Sequence, residues 1–471
     1  MYDTFVALFK EPRLMSKKLR IVSLFLLLGL NILSAQQQKW TLDACVNYAW
    51  THNISVKQSE LDVQAAEVDQ RDGLSAFLPS ASASSSHSWN VGLNQNITTN
   101  ILENQTTQFT SLGANVGIDI YKGLQNQMRY RKAQLAFIGS QYKLEKMKDD
   151  VGLNVANAYL QILFNKENLK VQQDQLANNE KQLQRTQELV DAGSLPRGDV
   201  LDSKATVAAD KQKVVIAENT LLISKLSLAQ LLQLDNFQDF DVADIEYEAK
   251  PSEVMLQSPS AIIAKAKENR IELKIAKTNM DVAEKDVRIA RAGYQPTLQG
   301  YYGFNSRISY ADIPLFDGSG NMIGTRGPLS FIEQFNNNKG HQFGIQLNVP
   351  IFNGFAVKHN ITRSKIALER YKIAYSQSEL DLERTIYTAY TDAQGAFKSY
   401  ESALSALESR SSAFQYAKER FEVGMMNAFE YNQAQTLFVN AQSEVLRTKY
   451  DYIFRTKIVE YYFGIPILSK P

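Results

Sequence analysis

The chain has 471 residues, with 51 Lys and Arg against 50 Asp and Glu. That balance excludes a nucleic-acid binder held by bulk charge, and the single cysteine, Cys45, excludes an internal disulfide. A hydrophobic content of 44% is that of an ordinary folded protein, and a soluble chain of this length would hold two or three domains.

Lys17, Lys18 and Arg20 precede an apolar run, Ile21 to Leu30, and Ser34-Ala35 supplies small residues for cleavage. This order is that of a secretory signal, too short to span a bilayer as a helix. Residues 1–35 are read as the signal, with Met15 as an alternative start. No cysteine stands at the cleavage site, so no lipoprotein anchor is expected.

The rest is a duplication. Val155, Ile162, Leu169, Leu176, Leu183 and Val190 recur every seven residues, and 231 residues later stand Ile386, Ala393, Tyr400, Leu407, Phe414 and Phe421. A second ladder, Val200, Val207, Val214, Leu221 and Leu228, maps the same way onto Tyr431, Phe438, Val445, Tyr452 and Val459. Earlier in the halves the offset is 217, which pairs Pro79 with Pro296, so the second half carries 14 extra residues between Pro296 and Ile351. The first repeat is 36–233 and the second 258–465; residues 234–257 form an acidic, irregular linker and 466–471 a tail. Helices are expected near 40–77, 124–191, 198–233, 258–293, 355–422 and 429–463. A helix over 124–191 would be roughly 100 Å long at 1.5 Å per residue. A seven-residue apolar repeat sustained that far predicts coiled-coil packing.

Each half also holds two alternating runs. In the first, Ala83, Ser85, His87, Trp89, Val91 and Leu93 share a face, as do Thr110, Leu112, Ala114, Val116, Ile118 and Ile120. In the second, Leu298, Gly300, Tyr302, Phe304, Ile308 and Tyr310 share one, as do His341, Phe343, Ile345, Leu347, Val349 and Ile351. The opposite faces carry Ser, Asn, Gln and Gly. This predicts strands with one apolar and one polar face, long enough to cross a membrane at a tilt. The segments 95–108 and 311–339 are read as loops on one side of the membrane, with the helices on the other. Four strands cannot close a barrel, and an open edge in lipid leaves backbone groups unsatisfied, so several copies must share one. Two copies would give eight strands and three would give twelve; only the larger leaves a wide lumen.

The chain resembles the TolC-type outer membrane efflux proteins, trimeric channel-tunnels of Gram-negative bacteria. The resemblance spans about 36–465. It rests on the duplicated pattern, on Pro79 and Pro296 at the strand entries, and on "IYKGLQNQ" and "IFNGFAVK" at the returns into the long helices. It rests also on the turns "ELVDAGSLPRGDVLDSKA" and "ERFEVGMMNAFEYNQAQ". What it implies is a mainly α protein with transmembrane β: a long coiled-coil helical barrel and a shared 12-stranded β-barrel, four strands from each chain of a homotrimer. It further implies an outer-membrane location with the helices in the periplasm, a periplasmic adaptor and an inner-membrane pump as partners, and passive exit of the cargo of an efflux or type I secretion system. A lumen of Ser, Asn and Gln carries no substrate-specific chemistry, so selection would rest with the pump.

Gly193 and Gly424 stand where helices must stop, because glycine takes the left-handed conformation at no steric cost. Asp199, with Asp202 three residues on, reads as an N-cap of the next helix. The resemblance adds a second role: Asp199, Asp202 and Glu430 would ring a periplasmic gate. The family's paired aspartates lie in the second half, where this chain has Glu430 and Gln433. The tips Gly193, Ser194 and Leu195, and Gly424, Met425 and Met426, would meet the adaptor.

The histidines, His52, His87, His341 and His359, lie far apart without metal-ligand spacing, and no nucleophile stands beside a base. The glycine-rich "GSGNMIG" at 318–324 lacks the strand-to-helix setting of a phosphate loop. No enzyme, metal or cofactor is expected. The alternative reading is an exported coiled-coil structural or adhesin protein with a soluble β-domain; an adaptor would need a second β-rich region.

Overall fold

Pro79 and Pro296 each stand one residue before a strand, and the sheet they introduce organises one of two units. The structure, a computed structural model, describes residues 39–95, 101–244 and 248–466. The expected signal, residues 1–35, and residues 467–471 of the tail lie outside the described residues.

The sheet unit comprises residues 50–153, 250–401 and 451 onward. Its strands are β1 (Ser80–Gln95), β2 (Leu102–Lys122), β3 (Thr297–Ser309) and β6 (Gly340–Asn348), in the order β1-β2-β3-β6 and all antiparallel. The register puts the expected residues on one face. Thr110 lies between His87 and Ile308, and Tyr302 lies between Val116 and Phe343. Trp89, Val91, Phe343 and Ile345 on that face are 61–80% exposed, with no second sheet over them among the described residues.

The strands differ from their expected lengths. The segment 95–108 is largely strand, because β2 begins at Leu102; its polar run "ENQTTQ" showed no apolar face to read. The segment 311–339 holds a small hairpin, β4 (Ile313–Phe316) with β5 (Met322–Arg326), and a short helix. The tip of that hairpin is the glycine-rich stretch, held by Asp317, which accepts from the Ser319 and Asn321 amides at 2.9 and 2.8 Å. Strand β6 stops at Asn348, two residues before Pro350, which has no N–H for a ladder.

Two helices expected to be continuous are broken. Helices α1 (Leu42–His52) and α2 (Ile54–Ser75) are separated by Asn53, whose extended backbone and side-chain bond to Ser55 N (2.9 Å) start a new helix. Past a 3-10 turn (Glu253–Leu256), helices α5 (Pro259–Asn269) and α6 (Ile271–Arg291) are separated by Arg270 in the same conformation. The long helices α3 (Gln125–Asp191) and α8 (Ala356–Glu422) are unbroken over 67 residues each, and each is entered through two consecutive left-handed residues, Gly123-Leu124 and Gly354-Phe355. In this unit Ile262, Ala266, Leu273, Ile386, Ala393 and Val459 form a buried cluster. A side chain such as Ile386, fully withdrawn from water, contributes about 1.5–3 kcal/mol.

The second unit comprises the described residues 39–49, 154–244, 248–249 and 402–450. It holds the rest of α3 with α4 (Arg197–Leu232), and the end of α8 with most of α9 (Ala428–Phe463). The ladder residues Val155, Ile162, Val200, Val207, Leu228, Tyr431 and Val445 are buried here as the heptads require. A polar pair replaces them at one level, where buried Asn179 donates to buried Asp210. Residues 241–244, within the expected linker, are tied down. Lys166 reaches Asp241 (2.9 Å), Asp244 (2.7 Å) and the Val242 carbonyl (2.9 Å), and Tyr159 donates to the Ala243 carbonyl at 3.0 Å. Cys45 is buried in α1, and burial pushes its thiol up to about 12.

Helix α4 also holds an 18-residue window apolar enough to cross a membrane. The reason is a second heptad ladder beside the buried one: Leu201, Val215 and Leu222, over half exposed, with Ile216 and Ile223 alongside.

Candidate functional site

Both long hairpins turn by the same bonds. At the first, Ser194 N donates to Leu189 O (2.8 Å) and Gly193 N to Val190 O (2.9 Å). At the second, Met425 N donates to Arg420 O (2.8 Å) and Gly424 N to Phe421 O (3.1 Å). These crossed six-to-one and five-to-two bonds satisfy the last carbonyls of each helix and need a left-handed residue. Gly193 at φ 73° and Gly424 at φ 75° supply it.

The next helices start differently. Asn427 accepts from Glu430 N at 2.8 Å, so Asn427 caps α9 and Glu430 stands third in its first turn. This is the reach of a capping box. The matching residue of the first repeat is Pro196, which caps α4 without a side-chain bond; Asp199 lies inside the first turn and is not the cap. There its carboxylate still favours the positive end of the helix dipole. The cap in "NAFE" was readable from its spacing; a proline at the corresponding place was not.

The two tips meet in one cleft of about 770 Å³. Asp199 and Glu430 line it with Ser194, Leu195, Met425 and Met426, and Arg185 and Arg420 stand on its wall. Asp202 is not part of this lining; it is exposed on α4. The expected trio is therefore divided, with two carboxylates at the cleft and one outside it. Met425 is 70% exposed while Met426 and Leu195 are half-buried. Arg185 approaches Glu422 at 3.9 Å across the cleft, and Arg420 donates to the Met425 carbonyl at 3.4 Å. Nothing in the sequence marks these arginines, because charges on a long helix look like ordinary solvated positions. Behind the second tip Tyr431 stacks on Phe421 with centroids 4.7 Å apart.

A family model described as outer membrane efflux protein matches residues 46–233 and 262–454, one stretch in each repeat. The outer membrane protein TolC of Vibrio cholerae is 25% identical over 313 residues, 64% of this chain and 64% of its own, so just under two thirds of that relative is spanned. Among solved structures, the Campylobacter jejuni CmeC outer membrane channel superposes with a TM-score of 0.74 at 17% identity, over 91% of this chain and 87% of that one. The Vibrio cholerae outer membrane protein VceC gives 0.72 at 14%, over 91% and 97%.

Proposed function

Because the chain belongs to the outer membrane efflux protein family, we propose that it forms a homotrimeric channel-tunnel, a passive exit for the cargo of a tripartite efflux or type I secretion system. The observation that carries this reading is the sheet. Among the described residues it has four strands, a β1 edge and a β6 edge that face no other strand, and an exposed apolar face. In water that face needs a second sheet; among the described residues the only other strands are β4 and β5. In lipid the face is satisfied and the two edges are the liability, removed when three copies pair edge to edge into twelve strands. The second, exposed ladder of α4 supports the same assembly, since it offers a coiled-coil seam to a neighbouring helix.

In this reading the polar face of Ser, Asn and Gln lines the lumen. Asp199, Asp202 and Glu430 act at the periplasmic gate, where carboxylates from three copies select against anions. The tips Gly193, Ser194, Leu195, Gly424, Met425 and Met426 meet a periplasmic adaptor that couples the duct to an inner-membrane pump. The adaptable Met425 and Met426 suit a partner surface.

The test is fractionation followed by planar-bilayer recording. The protein should sediment with the outer membrane, run as a trimer until heated, and give small cation-selective conductance steps. A soluble monomer obtained without detergent would overturn the reading.

A further inference from the structure

Strand β3 loses its β6 neighbour before it ends. Their pairing stops at Asn305 with Gly340, while β3 continues to Ser309. Tyr310 N donates to Gln108 O on the β2 side, so by alternation Arg307 and Ser309 direct their backbone groups to the β6 side. The short helix α7 (Phe331–Asn337) stands there instead of a strand. Gln334 accepts from Ser309 N and donates to Ser309 O, both at 2.9 Å, and Asn338 donates to Arg307 O at 2.5 Å. One side-chain amide thus makes both bonds of a missing strand residue. The helix covers Ser306 and Ile308, which are 2% and 1% exposed, while its own Phe331 and Ile332 are 48% and 71% exposed.

The opposite edge has the complementary mismatch. Strand β1 has 16 residues and β6 has nine. Both have their helix-side ends at a proline, Pro79 before β1 and Pro350 after β6. In the trimeric reading, with those ends level, the nine residues of β6 would cover residues 80–88 of β1 in the next copy and reach no further. Beyond Ser88 the apolar face of β1 carries Trp89, Val91 and Leu93, 61–80% exposed.

We propose that α7 completes the seam between copies: its exposed Phe331 and Ile332 pack on Trp89 and Val91 of the next copy, continuing on the membrane's outer side the contact that β6 begins. The occupant is a second copy of this chain, and the inference rests on the trimeric reading above. The fit is one of length and chemistry. The β3 edge left by β6, residues 306–309, is about 13 Å long, and a seven-residue helix is about 10 Å. Apolar side chains face apolar side chains at a level where an unfilled gap would admit lipid or water to strand edges.

The experiment places cysteine pairs in the full chain in outer membranes: Ile332→Cys with Trp89→Cys, Ile332→Cys with Val91→Cys, and, as the opposite-face control, Ile332→Cys with Asn90→Cys. After oxidation the first two should give covalent species up to three times the monomer mass, and the control and the single variants none; Cys45 is buried and adds no bridge. A trimer that comes apart on heating with no covalent ladder from either pair overturns the seam and leaves the trimeric reading standing. A parent chain that forms no trimer overturns that reading and the seam with it. As an independent readout, Phe331→Ala with Ile332→Ala should lower the temperature at which the trimer separates in detergent; an unchanged temperature overturns the proposal.

Discussion

Asn53 and Arg270 stand 217 positions apart, and each is the one extended residue between two helices, at φ −61°, ψ 133° and φ −67°, ψ 134°. The same break is held by different chemistry. Asn53 caps the following helix with its own side chain. Arg270 is 7% exposed; its guanidinium donates to Glu272 at 2.8 and 3.1 Å and to Tyr461 Oη at 2.6 Å, and lies over the Tyr461 ring. Tyr461 in turn donates to Asp149 at 2.8 Å.

Removing the cation should therefore cost more than removing the cap. Arg270→Ala leaves Glu272 and the Tyr461 hydroxyl without their buried partner, a loss of about 3–5 kcal/mol, whereas Asn53→Ala should cost about 1 kcal/mol. Unfolding midpoints of the two variants in detergent give the order. Equal shifts would mean that the guanidinium is solvated in place.

The two carboxylates around Arg270 respond to pH in opposite senses. Burial raises Asp149 above the usual range, more than the Tyr461 bond and the Arg270 charge lower it. Its contribution is full below the ordinary carboxylate pKa and is lost as pH rises through the folded value. Burial opposes the shift of Glu272, but the Arg270 hydrogen bond holds it below its usual range, so its contribution is present above that range and lost as pH falls through the folded value. Asp149→Asn keeps an acceptor for Tyr461 without the buried charge. It should unfold later than the parent at pH 7, and the advantage should fade towards pH 4.

The two left-handed returns predict unequal tolerance. A Cβ on Gly123 would meet Gln295 Cβ at 2.6 Å and the Ala292 carbonyl at 2.7 Å, while a Cβ on Gly354 meets nothing within 4 Å. Gly354→Ala should cost about 1 kcal/mol, the conformational term alone. Gly123→Ala must also push β3's entry aside and should lower the yield of folded, heat-separable trimer well below that of Gly354→Ala.

At the tips, Asp199→Ala with Asp202→Ala should raise single-channel conductance and weaken cation selectivity. Asp199 lines the cleft and Asp202 does not, so Asp199→Ala alone should give the larger share of the change. Unaltered conductance in the double variant would remove both from the gate.

The face on which Trp89, Tyr302 and Phe343 stand was legible because period-two alternation survives wherever one side meets an apolar medium. The outer half of β2 was not legible, since "ENQTTQ" is polar on both faces. The helix breaks were hidden for a related reason: apolar spacing continues through Asn53 and Arg270, and an interruption of one residue scarcely disturbs a period of 3.6. Gly193 and Gly424 announced their turns because the left-handed region is costly for other residues. Asp199 was misplaced by three residues, most of a helical turn, because the true cap, Pro196, offers no side-chain acceptor.

The middle of the sheet, β2 against β3, is a bond between the two halves of a duplicated chain. A polypeptide carrying one half alone would have only a hairpin to offer, and six molecules instead of the proposed three would have to find one another to build the same ring. Fusion makes every second junction intramolecular, so it no longer weakens with dilution. It also releases the junctions from being identical, so that in the proposed ring an intermolecular junction can use a helix where its intramolecular counterpart keeps a strand.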